Sequence, residues 1–433
     1  MTNVTVGLLG IGVLLVLFLL RVHIAFAMAL VGALGYAYLM SLDAGMKILV
    51  RDVFEQFSSY PLTVIPSFVL MGTYAFASGI SERLYKAANA WFGQFSGGLT
   101  LATIAASAAF AAICGSTSAA VATMGKIAIP EMRRYNYKDT LSTGCIASAA
   151  TLGILIPPST IFIVYGILTE QSIGQLFVAG IVPGIILTIL FAVTVVVLCK
   201  LRPSLGPKGH SVPWKEKFRS LSGIIEAVML FLLSIGGLFL GWFTPTQAGS
   251  IGAAGALLIG VARKKLTWKE FVNSTKDGLH ISCMILWLIA GATVFGHFIT
   301  ISGIPRILVQ GVQGLPFEPW VIMICICLLY FVGGLFIDAM ALIVLTVPFI
   351  YPVVVRLGFD PIWFGVIIVL VSGVGVISPP VGVNAYVIKG LAPEIPLVDI
   401  FKGISYFILP IIVCIAILII FPDAALLFSK LSN

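Results

Sequence analysis

Charge is what this sequence has least of. Only 10% of its 433 residues are Asp, Glu, Lys or Arg, while 60% are hydrophobic, so no ordinary water-exposed surface can be assembled from the chain. Histidine is nearly missing, at four residues. The seven cysteines (Cys114, Cys145, Cys199, Cys283, Cys325, Cys327, Cys414) lie within apolar segments, without a CxxC pair or an accompanying histidine pair. This argues against a disulfide framework and against a metal cluster. Short segments of alternating polarity are also missing, which removes a transmembrane β-barrel. A net charge of +8 would suit nucleic acid on a soluble chain. Here the basic residues sit in the gaps between apolar runs, so they report topology, and no nucleic-acid partner is expected.

What is present is hydrophobic length. Mean hydropathy is +1.12, and apolar runs of about 18 or more residues recur from end to end, long enough to cross a hydrocarbon core of about 30 Å as helices. Hydropathy predicts spans at Thr5 to Leu20, Val22 to Met40, Pro61 to Ser78, Thr140 to Leu168, Ile173 to Cys199, Leu221 to Gly241, Thr244 to Val261, Gly278 to Phe298, Ile362 to Ile388 and Phe407 to Phe421. Two runs, Leu99 to Pro130 and Pro319 to Pro352, exceed one crossing but are too short for two with a loop. Each is expected to be a re-entrant hairpin whose tip stops inside the membrane, at "CGSTSAA" (Cys114 to Ala120) and "GGLFIDAMA" (Gly333 to Ala341). Small residues there allow a tight turn and close packing. Non-helical backbone at that depth survives only when buried in protein or lining a wet cavity.

The basic residues fix the orientation. With the amino terminus outside, Arg21, Arg83, Lys86, Arg133, Arg134, Lys138, Lys200, Arg202, Lys208, Lys215, Lys217, Arg219, Arg263, Lys264, Lys265, Lys269, Lys276, Lys389 and Lys402 fall on the cytoplasmic side, nineteen of 25. Turning either hairpin into a full crossing would invert everything after it, so the positive-inside rule supports the hairpins as well. Five crossings and one hairpin then stand on each side of the central basic link, and the odd number gives the halves opposite orientation. The expected organisation is an inverted repeat: residues 1–200 (hairpin about 99–130, broken helix about 140–168), a cytoplasmic link at 201–220 facing anionic lipid or solvent, and residues 221–433 (hairpin about 319–352, broken helix about 362–388). The fold class is an all-α polytopic membrane protein. "SERLYKAANAWFGQF" (Ser81 to Phe95) reads as an amphipathic helix along the cytoplasmic interface, an anchor or a lever arm.

In each half, the segment after the hairpin is interrupted at a Gly-x-x-x-Pro-Pro sequence, Gly153 to Pro158 and Gly375 to Pro380. Proline removes a backbone donor and disfavours helix in the residue before it, and glycine lets the chain unwind. Two half-helices with unpaired carbonyls and N–H groups result, able to hold a cation and a carboxylate. The alternative, that each proline pair merely kinks a helix whose neighbours cap the freed groups, is weakened by the recurrence of the pair after a small-residue hairpin. Candidate cation ligands are Cys114, Gly115, Ser116, Ser118, Gly153, Ile156 and Pro158 in the first half and Gly334, Asp338, Gly375, Ser378 and Pro380 in the second, with Ser159, Thr160 and Asn384 as candidate substrate contacts. Hydroxyls and carbonyls without a carboxylate at the first tip suit Na⁺ better than a divalent ion. Asp338 is the one acid deep in a hydrophobic run, a functional candidate by that position that can also cap the second arm of its hairpin. His280 and His297 are distant from both tips in sequence and read as packing or interfacial residues.

The segments "PSFVLMGTYAFASGISERLYKAANAWFGQFSGGLTLATIAASAAFAAICGSTSAAVATMGKIAIPEMRR", "ASAATLGILIPPSTIFIVYGILTEQSIGQLFVAGIVPG" and "DPIWFGVIIVLVSGVGVISPPVGVNAYVIKG" closely resemble the large membrane subunit (M, or DctM) of tripartite ATP-independent periplasmic (TRAP) transporters, over nearly the whole chain. The resemblance implies the ion-transporter superfamily fold, a scaffold beside a mobile domain that carries both hairpins and works as an elevator. It also implies a bacterial inner-membrane location, coupling to Na⁺ at two sites, a small membrane subunit (Q, or DctQ) and a soluble periplasmic protein (P) that delivers an organic acid, a C4-dicarboxylate or similar carboxylate. "CGS" with "GILIPP" looks like the first sodium site, and Asp338 with "GVISPP" the second. The family commonly has serine where this chain has Cys114, a change that spares a backbone carbonyl donor but removes a hydroxyl. The sequence opens directly on the first M-like helix, so a separate Q partner is expected. A stand-alone anion carrier of the same superfamily is the nearest alternative. An enzyme is disfavoured, because no nucleophile–base pair or metal cluster converges in the membrane.

Overall fold

A computed structural model of the chain describes residues 2–209, 211–313 and 316–431. Among them the secondary structure is helical, with 23 α-helices: α1 (Asn3–Leu19), α2 (Ile24–Leu39), α3 (Leu42–Ser58), α4 (Val64–Ala77), α5 (Ile80–Phe92), α6 (Gly98–Cys114), α7 (Thr117–Arg134), α8 (Asp139–Ala149), α9 (Leu152–Leu155), α10 (Thr160–Thr169), α11 (Ile173–Leu201), α12 (Trp214–Ser220), α13 (Ser222–Phe231), α14 (Gly237–Phe239), α15 (Pro245–Ala262), α16 (Trp268–Ser302), α17 (Ile304–Gln313), α18 (Pro319–Gly334), α19 (Ala339–Arg356), α20 (Pro361–Ile377), α21 (Val383–Leu391), α22 (Leu397–Ile420) and α23 (Asp423–Leu431). Eight stretches of this helix are long and apolar enough to cross a membrane.

Local chemistry explains where hydropathy misplaced the ends. Helix α16 starts at Trp268, not at Gly278, because Thr267 and Glu270 form a reciprocal capping box (Glu270 N–H to Thr267 Oγ1 3.3 Å, Thr267 N–H to Glu270 Oε2 2.9 Å) that nucleates a polar first turn. Helix α20 begins one residue earlier than expected, with Asp360 accepting from Trp363 N–H at 2.9 Å and proline at the first helical position. Two amphipathic helices escaped a search for apolar runs. One is α3, between α2 and α4; the other is α17, which precedes the second hairpin as α5 precedes the first. Asp52 of α3 is buried and lies 3.2 Å from His297 Nε2 on α16, so His297 ties an interfacial helix to a long span.

The closest helix contacts fall into two groups. Helices α1 to α4 pack with α15 and α16 in one group. In the other, α6 to α8 pack together, α8 lies along α22, α18 and α19 lie on α20, and α21 lies on α7, so residues from both ends of the chain interleave. The α8–α22 seam is nearly backbone against backbone. A Cβ on Gly144 would sit 2.1 Å from the Gly403 carbonyl carbon, and one on Gly403 would sit 1.8 Å from Thr140 O. Close approach of this kind lets dispersion replace the hydrophobic effect that lipid does not supply.

Candidate functional site: two hairpin tips at one cavity

Each expected hairpin is a pair of packed helices joined by a tight turn. In the first, α6 ends at Cys114 and Gly115 takes a left-handed conformation (φ 63°), which only glycine adopts freely. Ser116 then caps α7, accepting from Ala119 N–H at 3.5 Å. In the second, Asp338 caps α19, accepting from Met340 N–H at 3.0 Å. The two capping residues are equivalent. Ser116 and Asp338, the starts of α7 and α19, the starts of α8 and α20, and the cis pairs Pro157–Pro158 and Pro379–Pro380 all stand 222 positions apart (338 less 116, 361 less 139, 379 less 157). Hairpin tip and proline pair are thus one element used twice without insertion, and a charged cap replaces a hydroxyl cap in the second copy.

Both breaks form, though not as unwinding at glycine. In the first half the helix is interrupted twice: α8 stops at Ala149, α9 is a single turn containing Gly153, and a non-helical segment follows from Ile156 (φ −76°, ψ 126°) through the Pro157–Pro158 bend to Ser159 (φ −113°, ψ 123°). In the second half α20 runs unbroken through Gly375 to Ile377, and the gap is Ser378 to Gly382. The expectation that glycine loosens the helix is corrected. These glycines instead let the hairpin tip approach. A Cβ on Gly375 would lie 2.4 Å from the Gly334 carbonyl carbon, one on Gly115 would lie 2.5 Å from Pro158 O, and one on Gly153 would lie 3.1 Å from Ser116 O. Tip backbone and break backbone therefore converge in each half.

The first tip is bound to its break by side chains as well. Thr160 Oγ1 donates to Gly115 O at 2.9 Å, and Thr160 N–H approaches the same oxygen at 3.5 Å. Ser159, fully buried, donates to Ile154 O at 2.6 Å and accepts from Phe162 N–H at 3.3 Å. At the second break Val381 N–H donates to Leu335 O at 3.4 Å, and Ser378 Oγ turns back to its own helix at Val374 O, 2.7 Å away. Asn384 is buried and donates from Nδ2 to Ala147 O at 2.9 Å, pinning the second break to α8, and its Oδ1 has no hydrogen-bond partner. Cys114 is buried with its sulfur 4.0 Å from Ser116 O. Pro380 is exposed, and the Ile156 side chain packs toward Gly184.

The tips meet at a cavity of about 450 Å³. Cys114, Ser116, Ser118 and Thr160 line it from the first half and Asp338 from the second, while α4 and α16 close the far side with Val69, Phe76, Ile281 and Ile285. Lys126, Asp277 and His280 also line it, and all three are exposed. His280, read from the sequence as a packing or interfacial residue, is exposed and lines the cavity. The signal was present: Asp277 and His280 fall three apart on one face of a helix, and Ala119, Thr123 and Lys126 fall four and three apart on one face of α7, but nothing in the sequence pairs those two helices. The tips offer the hydroxyls of Ser116 and Ser118, the Cys114 thiol and the Asp338 carboxyl to the cavity, and no cluster of three or more His, Cys, Asp or Glu residues occurs among the described residues. Of the three substrate candidates, Thr160 lines the cavity, Ser159 is engaged in internal hydrogen bonds, and Asn384 donates from Nδ2 to Ala147 O while its Oδ1 is left without a partner.

Comparison with known proteins agrees with this architecture. The Alcanivorax borkumensis YdaH transporter matches over 98% of both chains with a TM-score of 0.64 at 13% identity, and Neisseria gonorrhoeae MtrF matches 88% of this chain and 85% of its own with a TM-score of 0.55 at 14% identity. These likenesses establish the fold. Among sequences, the chain is 33% identical to the C4-dicarboxylate TRAP transporter large permease protein DctM of Pseudomonas aeruginosa (79% of this chain, 80% of that one). It is 31% identical to the sialic acid TRAP transporter large permease protein SiaM of Vibrio cholerae (90% and 91%) and 28% identical to the ectoine TRAP transporter large permease protein TeaC of Halomonas elongata, over the full length of both. The family model for the tripartite ATP-independent periplasmic transporter DctM component matches residues 11–424. With hairpins, breaks and cavity in place, the chain belongs to the DctM family of TRAP transporter large permeases, membrane transport subunits and not enzymes.

Proposed function

We propose that this chain imports an organic acid across a bacterial inner membrane, driven by the Na⁺ gradient, with a small membrane subunit beside it and a periplasmic binding protein delivering the acid. The observation that carries this reading is the meeting of Ser116 and Asp338, equivalent caps of the two hairpins, at one cavity whose other wall belongs to a separate group of helices. One Na⁺ would lie among the oxygens of Gly115, Ser116, Gly153 and Pro158, and a second near Asp338, Gly334 and Gly375, each closing backbone groups that low dielectric makes costly to leave unpaired. The acid would occupy the cavity between the tips.

The group holding both hairpins would move as a unit against α1–α4, α15 and α16, carrying ions and acid together. With the halves inverted and the amino terminus outside, the end of the cavity with Lys126 and Asp277 would lie on the cytoplasmic side, and this conformation would present the site inward. Binding to two conformations suffices, and no covalent step is needed. The test is uptake into liposomes containing the permease and its small subunit, with the binding protein supplied outside. Uptake should require an inward Na⁺ gradient and fail with K⁺. Equal uptake with either ion would refute the coupling.

A further inference from the structure

The basic link between the two halves is folded onto the turn that joins α5 to α6. Gly97 N–H donates to Gly206 O at 2.9 Å, Ser96 Oγ donates to the same oxygen at 3.1 Å, and Gly209 N–H donates to Gly93 O at 3.0 Å. Helix α12 then packs on α5. Trp91 of α5 donates from Nε1 to Lys217 O at 3.2 Å, and its ring meets those of Trp214 and Phe218 edge-on, with centroids 6.2 and 5.8 Å away.

Residues four apart on a helix share a face, and α12 sorts its side chains accordingly. Trp214 and Phe218 are 67% and 61% exposed, and Lys215 and Arg219, the next pair around the helix, are exposed as well. Lys217 turns inward and is 4% exposed. Its ammonium donates to Gln94 Oε1 at 3.0 Å and lies 4.9 Å from the centre of the Trp214 ring. Both partners are neutral, so its charge is softened by the ring face but not cancelled. Among the described residues no carboxylate forms an ion pair with Lys215, Lys217 or Arg219. The basic loop from α15 to α16 differs, for there Arg263 pairs with Glu226 and Lys265 stands near Glu82 and Glu270. Uncompensated positive charge beside exposed aromatic rings is therefore a local property of α12. A phospholipid supplies both complements at once: a phosphate for the lysine and the guanidinium, and a glycerol and acyl region for rings that favour the membrane interface.

We propose that α5 and α12 form a binding site for an anionic phospholipid, with its phosphate on Lys215 and Arg219 and its acyl region against Trp214 and Phe218. Because α5 joins α4 of one helix group to α6 of the other, the lipid braces the segment between the two groups. The inference is independent of the substrate and of the coupling ion. The test follows the melting temperature of the full-length chain in detergent micelles as dioleoylphosphatidylglycerol is added, with dioleoylphosphatidylcholine and inorganic phosphate as separate arms. Melting should rise with phosphatidylglycerol alone. The Lys215→Gln, Arg219→Gln double variant, changed only at exposed positions, should melt as wild type without lipid and need roughly tenfold or more phosphatidylglycerol for half of its rise. Trp214→Ala should weaken the response as well, whereas Lys264→Gln with Lys265→Gln, the same loss of charge in the compensated loop, should keep it. A wild-type lipid response in the Lys215, Arg219 variant overturns the site, and so does an equal loss in the Lys264, Lys265 variant, which would show attraction to net charge only. Equal stabilisation by inorganic phosphate or by phosphatidylcholine overturns the choice of an anionic lipid.

Discussion

Gly375→Ala is the sharpest probe of the tip-to-break contact. The added methyl would sit 2.4 Å from the Gly334 carbonyl carbon and 2.5 Å from its Cα, whereas ordinary contact begins near 3.4 Å. Both opposing atoms are backbone, so no rotamer change can make room, and the tip of α18–α19 must retreat from α20 by about 1 Å. Overpacking of this kind costs about 1–3 kcal/mol. If the cost falls on the cation-bound arrangement, half-saturation for Na⁺ should rise by a factor of roughly 5 to 150, at about 1.4 kcal/mol per tenfold. The assay is uptake against Na⁺ concentration in liposomes, with melting temperature measured on the same preparation. Gly12→Ala on α1, where nothing lies within 4 Å of the new methyl, is the control and should leave both readings unchanged. A Gly375→Ala protein with wild-type Na⁺ dependence and wild-type melting would refute the claim that these glycines exist for close approach.

Three further outcomes follow from the same geometry. Asp338→Asn retains an oxygen that can accept from Met340 N–H but removes the charge, so uptake should fall at least tenfold while melting changes little; equal loss in melting would assign Asp338 to capping alone. Thr160→Val removes the donor to Gly115 O with little change of shape, and should lower stability by about 1–2 kcal/mol and weaken Na⁺ dependence, both of which Thr160→Ser should restore. Glu226, largely buried on α13, pairs with Arg83 of α5 and with Arg263 at the end of α15; Glu226→Gln should reduce melting by the equivalent of about 1–3 kcal/mol, and an unchanged melting curve would show that the α5 helix is held by other contacts.

Much of the molecule was written along one dimension. Low charge and long apolar runs force helices that satisfy their own backbone, the proline pairs forbid helix at two places, and Gly115 with Ser116 marks a turn and a new helix start; each follows from neighbours in the chain. Even the repeat is legible as the fixed spacing between Ser116 and Asp338. Amphipathic α3 and α17 were missed because a hydropathy search weighs average polarity and not its arrangement around a helix. The use of Gly375 was misread, because a glycine kept for close approach and one kept for backbone freedom look alike until the opposing strand of backbone, here Gly334, is in view. Tertiary structure alone decided which residues share the cavity. His280, Asp277 and Lys126 come from helices more than a hundred residues apart, and their juxtaposition depends on how the α4–α16 group packs against the hairpins. That is a balance of many side-chain contacts between surfaces and leaves no local mark in the sequence.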